Sequence, residues 1–273
     1  MTFSPTRHVY FSLTEQNKFL PPSYILQLKE DLDFRLAERM LRGKWVDIRA
    51  DVIYSAYDES ANYRDLVYTA DPLKPIYINW DFNIGEGKPL SLCLSQVEIK
   101  EGKVKAFHFY NEVIVEGADT EDACHELAAR GLLDIDTEYV VHGDATGGSR
   151  STKSKTSDYD IIKKFMSNYR TPDGRKLDVR MDVPASNPPV RTRHNLVNAY
   201  CRNDVGAVRL FVYKDCPKLN KGLKLTALKK GGNYIEDDSK DYQHVTTALG
   251  YHVVRVHKSL RDLVSAVKAV RVR

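Results

Sequence analysis

The chain has 273 residues, 42% hydrophobic and 29% charged, the composition of a globular protein long enough for a substantial core. A net charge of +4 gives only a weak overall pull toward an anionic partner, so local basic patches are more informative than the total. No apolar run approaches the roughly 18 residues of a membrane span, the start lacks a signal-peptide core, and Cys93, Cys124, Cys201 and Cys216 form no C-x-x-C pair, which argues against a membrane, zinc or disulfide protein and for a reducing cytoplasm.

In chain order, Thr14-Glu15-Gln16-Asn17 and Phe19-Leu20-Pro21-Pro22 precede the first periodic segment. Tyr24, Leu28, Leu32, Leu36 and Met40 recur at helical spacing, with Ile25 beside them. They predict one amphipathic helix over 23–41, capped by Ser23 and stopped at Gly43. Trp45-Val46 and Val52-Ile53-Tyr54 continue in extended form. The chain is organised around Pro75 to Asn83, P-I-Y-I-N-W-D-F-N, a β-branched and aromatic run that predicts a buried strand. Asp81 lies near its end, and a carboxylate there needs compensation such as a metal ion, or a turn-capping role with Asn83 and Gly85.

The turn Gly85-Glu86-Gly87-Lys88 leads to a second strand over 90–99, and Glu101-Gly102-Lys103 turns into a third over 104–115. Thr120 opens a helix with Ala123, Leu127, Ala128 and Leu132 on its apolar face. E-Y-V-V-H at 138–142 is a fourth strand, ending in Gly143-Asp144-Ala145-Thr146-Gly147-Gly148. A helix over 157–169, a strand over 177–183, a helix over 191–203 and a short strand over 207–213 follow. Residues 216–230 read as helical, another helix runs from about 240 to 251, and 257–270 is a last amphipathic helix with Leu260, Leu263, Val264, Val267 and Val270 inward.

Three hairpin-linked strands followed by alternating helices and strands imply an α/β fold, a mixed and at least five-stranded sheet with helices on both faces. Strand four can then lie beside strand one, bringing Asp144 close to Asp81, which is the ribonuclease H-like arrangement. Clustered carboxylates hold hard cations such as Mg2+ or Mn2+. Two such ions about 3.5–4 Å apart supply an activated water and a stabilised leaving oxygen for phosphodiester hydrolysis. Asp144 alone could instead cap the turn that follows it.

Four motifs together resemble the C-terminal nuclease domain of tailed-phage terminase large subunits: I-Y-I-N-W-D-F-N (76–83), V-V-H-G-D-A-T-G-G (140–148), S-D-Y-D-I-I (157–162) and H-V-T-T-A-L-G-Y (244–251). N-K-F-L-P-P-S-Y-I (17–25), R-G-K-W-V (42–46) and V-I-Y-S-A-Y (52–57) look like the region that precedes the nuclease in these proteins. The resemblance implies a Mg2+- or Mn2+-dependent endonuclease cutting concatemeric double-stranded DNA during genome packaging. It implies work in the host bacterial cytoplasm at the procapsid portal, with the portal protein and the small terminase subunit as partners. It divides the chain into a linker over 1–60 and a nuclease domain over 61–273, and it matches Asp81 and Asp144 to the first two metal-binding aspartates. The third departs from the family pattern H-x-x-D-A-L-x-Y, because Thr247 occupies the aspartate position. Asp241 with His244 is the favoured replacement, with Asp237 and Asp238 nearby. No G-x-x-x-x-G-K-[ST] occurs, so no packaging ATPase is expected in this sequence.

Arg150, Lys153 and Lys155 follow Asp144 directly and are expected to contact DNA phosphates. Arg170, Arg175, Arg191 and Arg193 border neighbouring loops, and Lys218, Lys221, Lys224, Lys229 and Lys230 read mainly as a solvated face. Two other readings remain open: a junction resolvase of the same fold, and a DNA- or portal-binding domain whose cutting is weakened by Thr247.

Overall fold

The computed structural model describes residues 13–44, 52–82, 88–149, 156–229 and 234–271, with side chains as far as 262. The first helical segment differs from the sequence expectation. It is two helices, α1 (Pro22–Asp31) and α2 (Phe34–Met40), rather than one over 23–41. Asp33 accepts hydrogen bonds from the backbone N–H groups of Arg35 and Leu36, so a local N-cap interrupts the apolar period. Pro21 and Pro22, not Ser23, begin α1.

A single turn, α3 (Glu59–Asn62), leads to the two-residue strand β1 (Tyr63–Arg64). The organising run forms β2 (Ile76–Asp81), followed by the long strands β3 (Leu90–Lys100) and β4 (Lys103–Val115). Glu101 and Gly102 both adopt positive φ, 55° and 69°, the mirror-image turn that matches the right-handed twist of a two-residue hairpin. Then come α4 (Thr120–Ala129), β5 (Glu138–Gly143), α5 (Asp158–Asn168), β6 (Asp178–Met181), α6 (Val190–Cys201), β7 (Leu210–Tyr213) and α7 (Pro217–Leu225). The last helix, α8 (Asp241–Arg271), runs without a break where the sequence pattern suggested two. The inward positions expected at Leu263, Val264, Val267 and Val270 lie outside the described side chains, as do the Gly85–Gly87 turn and Trp45-Val46 outside the described residues.

The sheet has seven strands in the order β1-β7-β4-β3-β2-β5-β6. Strands β2, β3 and β4 are antiparallel neighbours, whereas β5 and β6 add in parallel beyond β2. This is the expected mixed α/β arrangement, extended at the other edge by β7, parallel to β4, and by β1. Strand β7 lies within the short strand expected over 207–213, whereas β1 is too short to carry an alternation in sequence. Strand alternation divides the core. Ile76, Ile78, Trp80, Leu92 and Leu94 pack with Ala123, Leu127, Ile162 and Met166 of α4 and α5. Cys93, Phe107 and Phe109 pack with Val197, Leu219, Leu223, Val245 and Leu249 of α6, α7 and α8. The four cysteines are buried free thiols. Among the described residues no helix is long and apolar enough to cross a membrane.

One close approach fixes where β2 and β5 end. Trp80 is in register with Gly143, and a Cβ added at Gly143 would lie 2.2 Å from the Trp80 carbonyl oxygen. Gly143→Ala must therefore push the two strands apart. It is expected to cost about 1–3 kcal/mol, read as a lower urea midpoint with an unchanged slope.

Candidate functional site

The Trp80–Gly143 register carries the next residue of each strand, Asp81 and Asp144, to adjacent positions at the same end of the parallel β2–β5 pair, and the Asp144 N–H donates to Trp80 O at 3.0 Å. Both aspartates are buried, 4% and 7% exposed. Odd-numbered residues of β2 face α8, as the 4.6 Å contact between the Tyr77 and His252 rings shows, so Asp81 points toward that helix. His142, on β5, meets the same helix: its Nε2 lies 3.2 Å from the Tyr251 carbonyl oxygen.

Each aspartate is held by named partners. His244 Nδ1, on the first turn of α8, lies 3.3 Å from Asp81 Oδ2. Asp144 Oδ1 accepts from the Thr146 backbone N–H and from Asn187 Nδ2, each at 2.7 Å. Asn187 also accepts from the Ala145 N–H at 2.9 Å, which ties the loop after β5 to the loop before α6. Tyr159 donates to the Asp144 carbonyl at 2.9 Å. Burial, opposed by Arg193 and reinforced by the charges of Asp81 and Asp144, pushes the Tyr251 phenol above its ordinary pKa, so this ring lies in the field of both carboxylates.

Asp241 opens α8 and pairs with Lys218, whereas His244, one turn on, reaches Asp81. Asp238 binds Lys88 and Lys229, each at 2.6 Å, and the Asp237 side chain accepts from the Ser239 N–H. Among the described residues no three His, Cys, Asp or Glu side chains gather as a metal-binding group. Two aspartates at adjacent backbone positions nonetheless suit one hard divalent cation, because Mg2+ keeps several waters and takes one or two carboxylates from a protein.

Thr247 is 5% exposed and its hydroxyl oxygen is engaged twice, by Gln243 Nε2 at 2.9 Å and by Arg193 Nη2 at 3.5 Å. Arg193, expected at a loop border, is instead 3% exposed on α6. Its Nη2 lies 2.5 Å from Glu236 Oε2, its guanidinium stacks 4.9 Å over the Tyr251 ring, and Gly250 leaves room for its stem: a Cβ there would meet Arg193 Cγ at 2.5 Å. His194 Nε2 holds the other Glu236 oxygen at 2.7 Å. Burial would raise the Glu236 pKa, but the His194 hydrogen bond and the Arg193 charge hold it down to about 2. The sequence hint that could have exposed this network is a glycine inside a helical pattern at 250.

The remaining basic residues are largely paired within the chain. Arg175 binds Asp136, Lys224 binds Glu59, Arg191 stacks on Tyr234 and Arg255 binds Asp182. Arg150, Lys153, Lys155 and Lys230 lie outside the described residues.

No family model matches the chain, and no curated protein matches it. Solved structures do. The large terminase from a thermophilic bacteriophage, in complex with ATP-gamma-S, shares 14% identity at a TM-score of 0.59, over 87% of this chain and 53% of that one. The P22 large terminase nuclease domain shares 12% identity at a TM-score of 0.50, over 77% of this chain and 97% of that one. The chain thus spans about half the length of the thermophilic phage protein it resembles and nearly all of the P22 domain. Its fold is that of large terminase nuclease domains, ribonuclease H-like.

Glu236 gives a pH test. Its folded pKa is depressed, so its contribution is complete above the unfolded carboxyl value of about 4.3 and is lost as pH falls toward about 2. Glu236→Gln strands the buried Arg193 charge, with an expected cost of about 3–5 kcal/mol at pH 7, and it removes that segment of acid sensitivity. Urea unfolding of both proteins across this pH range checks the two effects together.

Proposed function

We propose that this chain is a divalent-cation-dependent nuclease acting on double-stranded DNA in phage genome packaging. The observation that carries the reading is the pair Asp81 and Asp144, set side by side by strand register beneath α8. The terminase fold supports it as context. Asp81 and Asp144 would hold the cation, which when bound would polarise the scissile phosphate and lower the pKa of a water. His244 steadies the Asp81 carboxylate. Asn187 and the Thr146 N–H use one oxygen of Asp144, which fixes the direction in which the carboxylate faces. Arg150, Lys153 and Lys155 would grip the DNA backbone without reading sequence. In this reading residues 1–60 lead into a nuclease unit over 61–273, and the portal and small terminase subunit are partners in the host cytoplasm.

A second reading, a domain that binds DNA but cuts weakly, is favoured by one feature: Thr247 adds no negative charge beside Asp81. Plasmid cleavage in Mn2+, Mg2+ and EDTA separates the two. Cutting is expected in Mn2+ or Mg2+ and not in EDTA. Asp81→Asn and Asp144→Asn are expected to lose more than the ~10–100-fold typical of losing a supporting partner. Asp241→Ala is expected to keep most activity because Asp241 is tied to Lys218; a loss as deep as that of Asp81→Asn would make it a third ligand. Duplex binding by the wild type without cutting in any metal would overturn the nuclease reading in favour of the second.

A further inference from the structure

The face of α8 that meets Asp81 carries His244, Thr247 and Tyr251 in successive turns, and Arg193 lies across the last two. A hydroxyl oxygen has two lone pairs. Gln243 and Arg193 both donate to that of Thr247, leaving it no electron pair for a metal ion without breaking one of these bonds. The guanidinium cannot lose its proton, and it is pinned from behind by Glu236, itself held by His194. Its position is also built into the helix, because only a glycine at 250 admits its stem. Two carboxylates balance the charge of one divalent ion, and on the α6 side the group that reaches Thr247 is the Arg193 guanidinium, with the Glu236 carboxylate taken up by Arg193 and His194.

We propose that this site takes a single divalent cation, held by Asp81 and Asp144, and that Arg193 supplies the fixed positive charge on the flank where a second cation would otherwise sit. Arg193 acts as a positioning residue through Thr247 and Tyr251. This assignment rests on the nuclease reading for the identity of the site, and it differs from the two-cation scheme that the sequence suggested.

The test counts Mn2+ bound per chain, without DNA, from the electron paramagnetic resonance signal of the unbound ion. One ion per wild-type chain is expected, falling to none in Asp81→Asn. Thr247→Asp alone is expected to remain at one, because Arg193 pairs with the new carboxylate. Thr247→Asp combined with Arg193→Met is expected to rise to two, with circular dichroism checking that the double variant is folded. Two ions in the wild type would overturn the single-cation assignment and leave the nuclease reading intact, and two ions in Thr247→Asp alone would overturn the role given to Arg193. No ion in the wild type would overturn both. A folded double variant that stays at one would overturn the role given to Arg193, and where that variant does not fold, the wild type and Thr247→Asp still decide the question.

Discussion

Everything at the candidate site depends on the contact between the backbones of β2 and β5. Glycine at 143 lets the Trp80 carbonyl come close enough for the two strands to finish together, and the residue that follows on each strand is an aspartate. Hydrophobic packing maintains that register. Trp80 is fully buried on the α4–α5 side, stacked on Phe82, while its neighbour Asp81 is turned toward α8 by the pleat alone. A slip of one residue would exchange the two, burying a carboxylate among aromatic rings and turning an indole toward α8. The core and the carboxylate pair are therefore specified by the same alternation.

The second organising element is the ionic cluster at the edge of α8. Arg193 and His194 come from α6 and Glu236 from the segment before α8, and the two buried α6 side chains each hold one oxygen of Glu236. Such a cluster adds little net stability compared with apolar packing, but it is intolerant of losing a single member. Its value lies in geometry: it stops α6 and α8 from sliding and so holds His244 against Asp81.

The sequence made some of this legible and concealed the rest for physical reasons. The apolar run at 76–82 and the strand at 138–142 are long enough to show their type, and the order of elements placed them side by side. Strand β7 lies within the short strand expected over 207–213, whereas β1, of two residues, was too short for a period to identify it. The break between α1 and α2 was hidden because the apolar spacing runs through it; the Asp33 cap, a local hydrogen-bonding choice, and the Asp204 N–H on the Leu32 carbonyl mark the break. Arg193 looked like one more loop cation because its partner, Glu236, is 43 positions away, a pairing that no local pattern encodes. Asn187 was missed for the same reason: a lone asparagine after a strand carries no sign that it will orient a carboxylate in another loop.

Because α8 covers both aspartates, the site has an order of completion in time. A nascent chain released only as far as Asp144 already contains both carboxylates, yet it has neither the helix that brings His244 to Asp81 nor the arginine that lies beside Thr247. During synthesis the two strands can pair while their aspartates still face solvent, and the enclosed arrangement arises only when the segment from Glu236 through Tyr251 emerges and docks. Truncation at the start of that last segment would remove both the lid of the site and the α8 side chains that fill one core, Val245, Ala248, Leu249 and Val253.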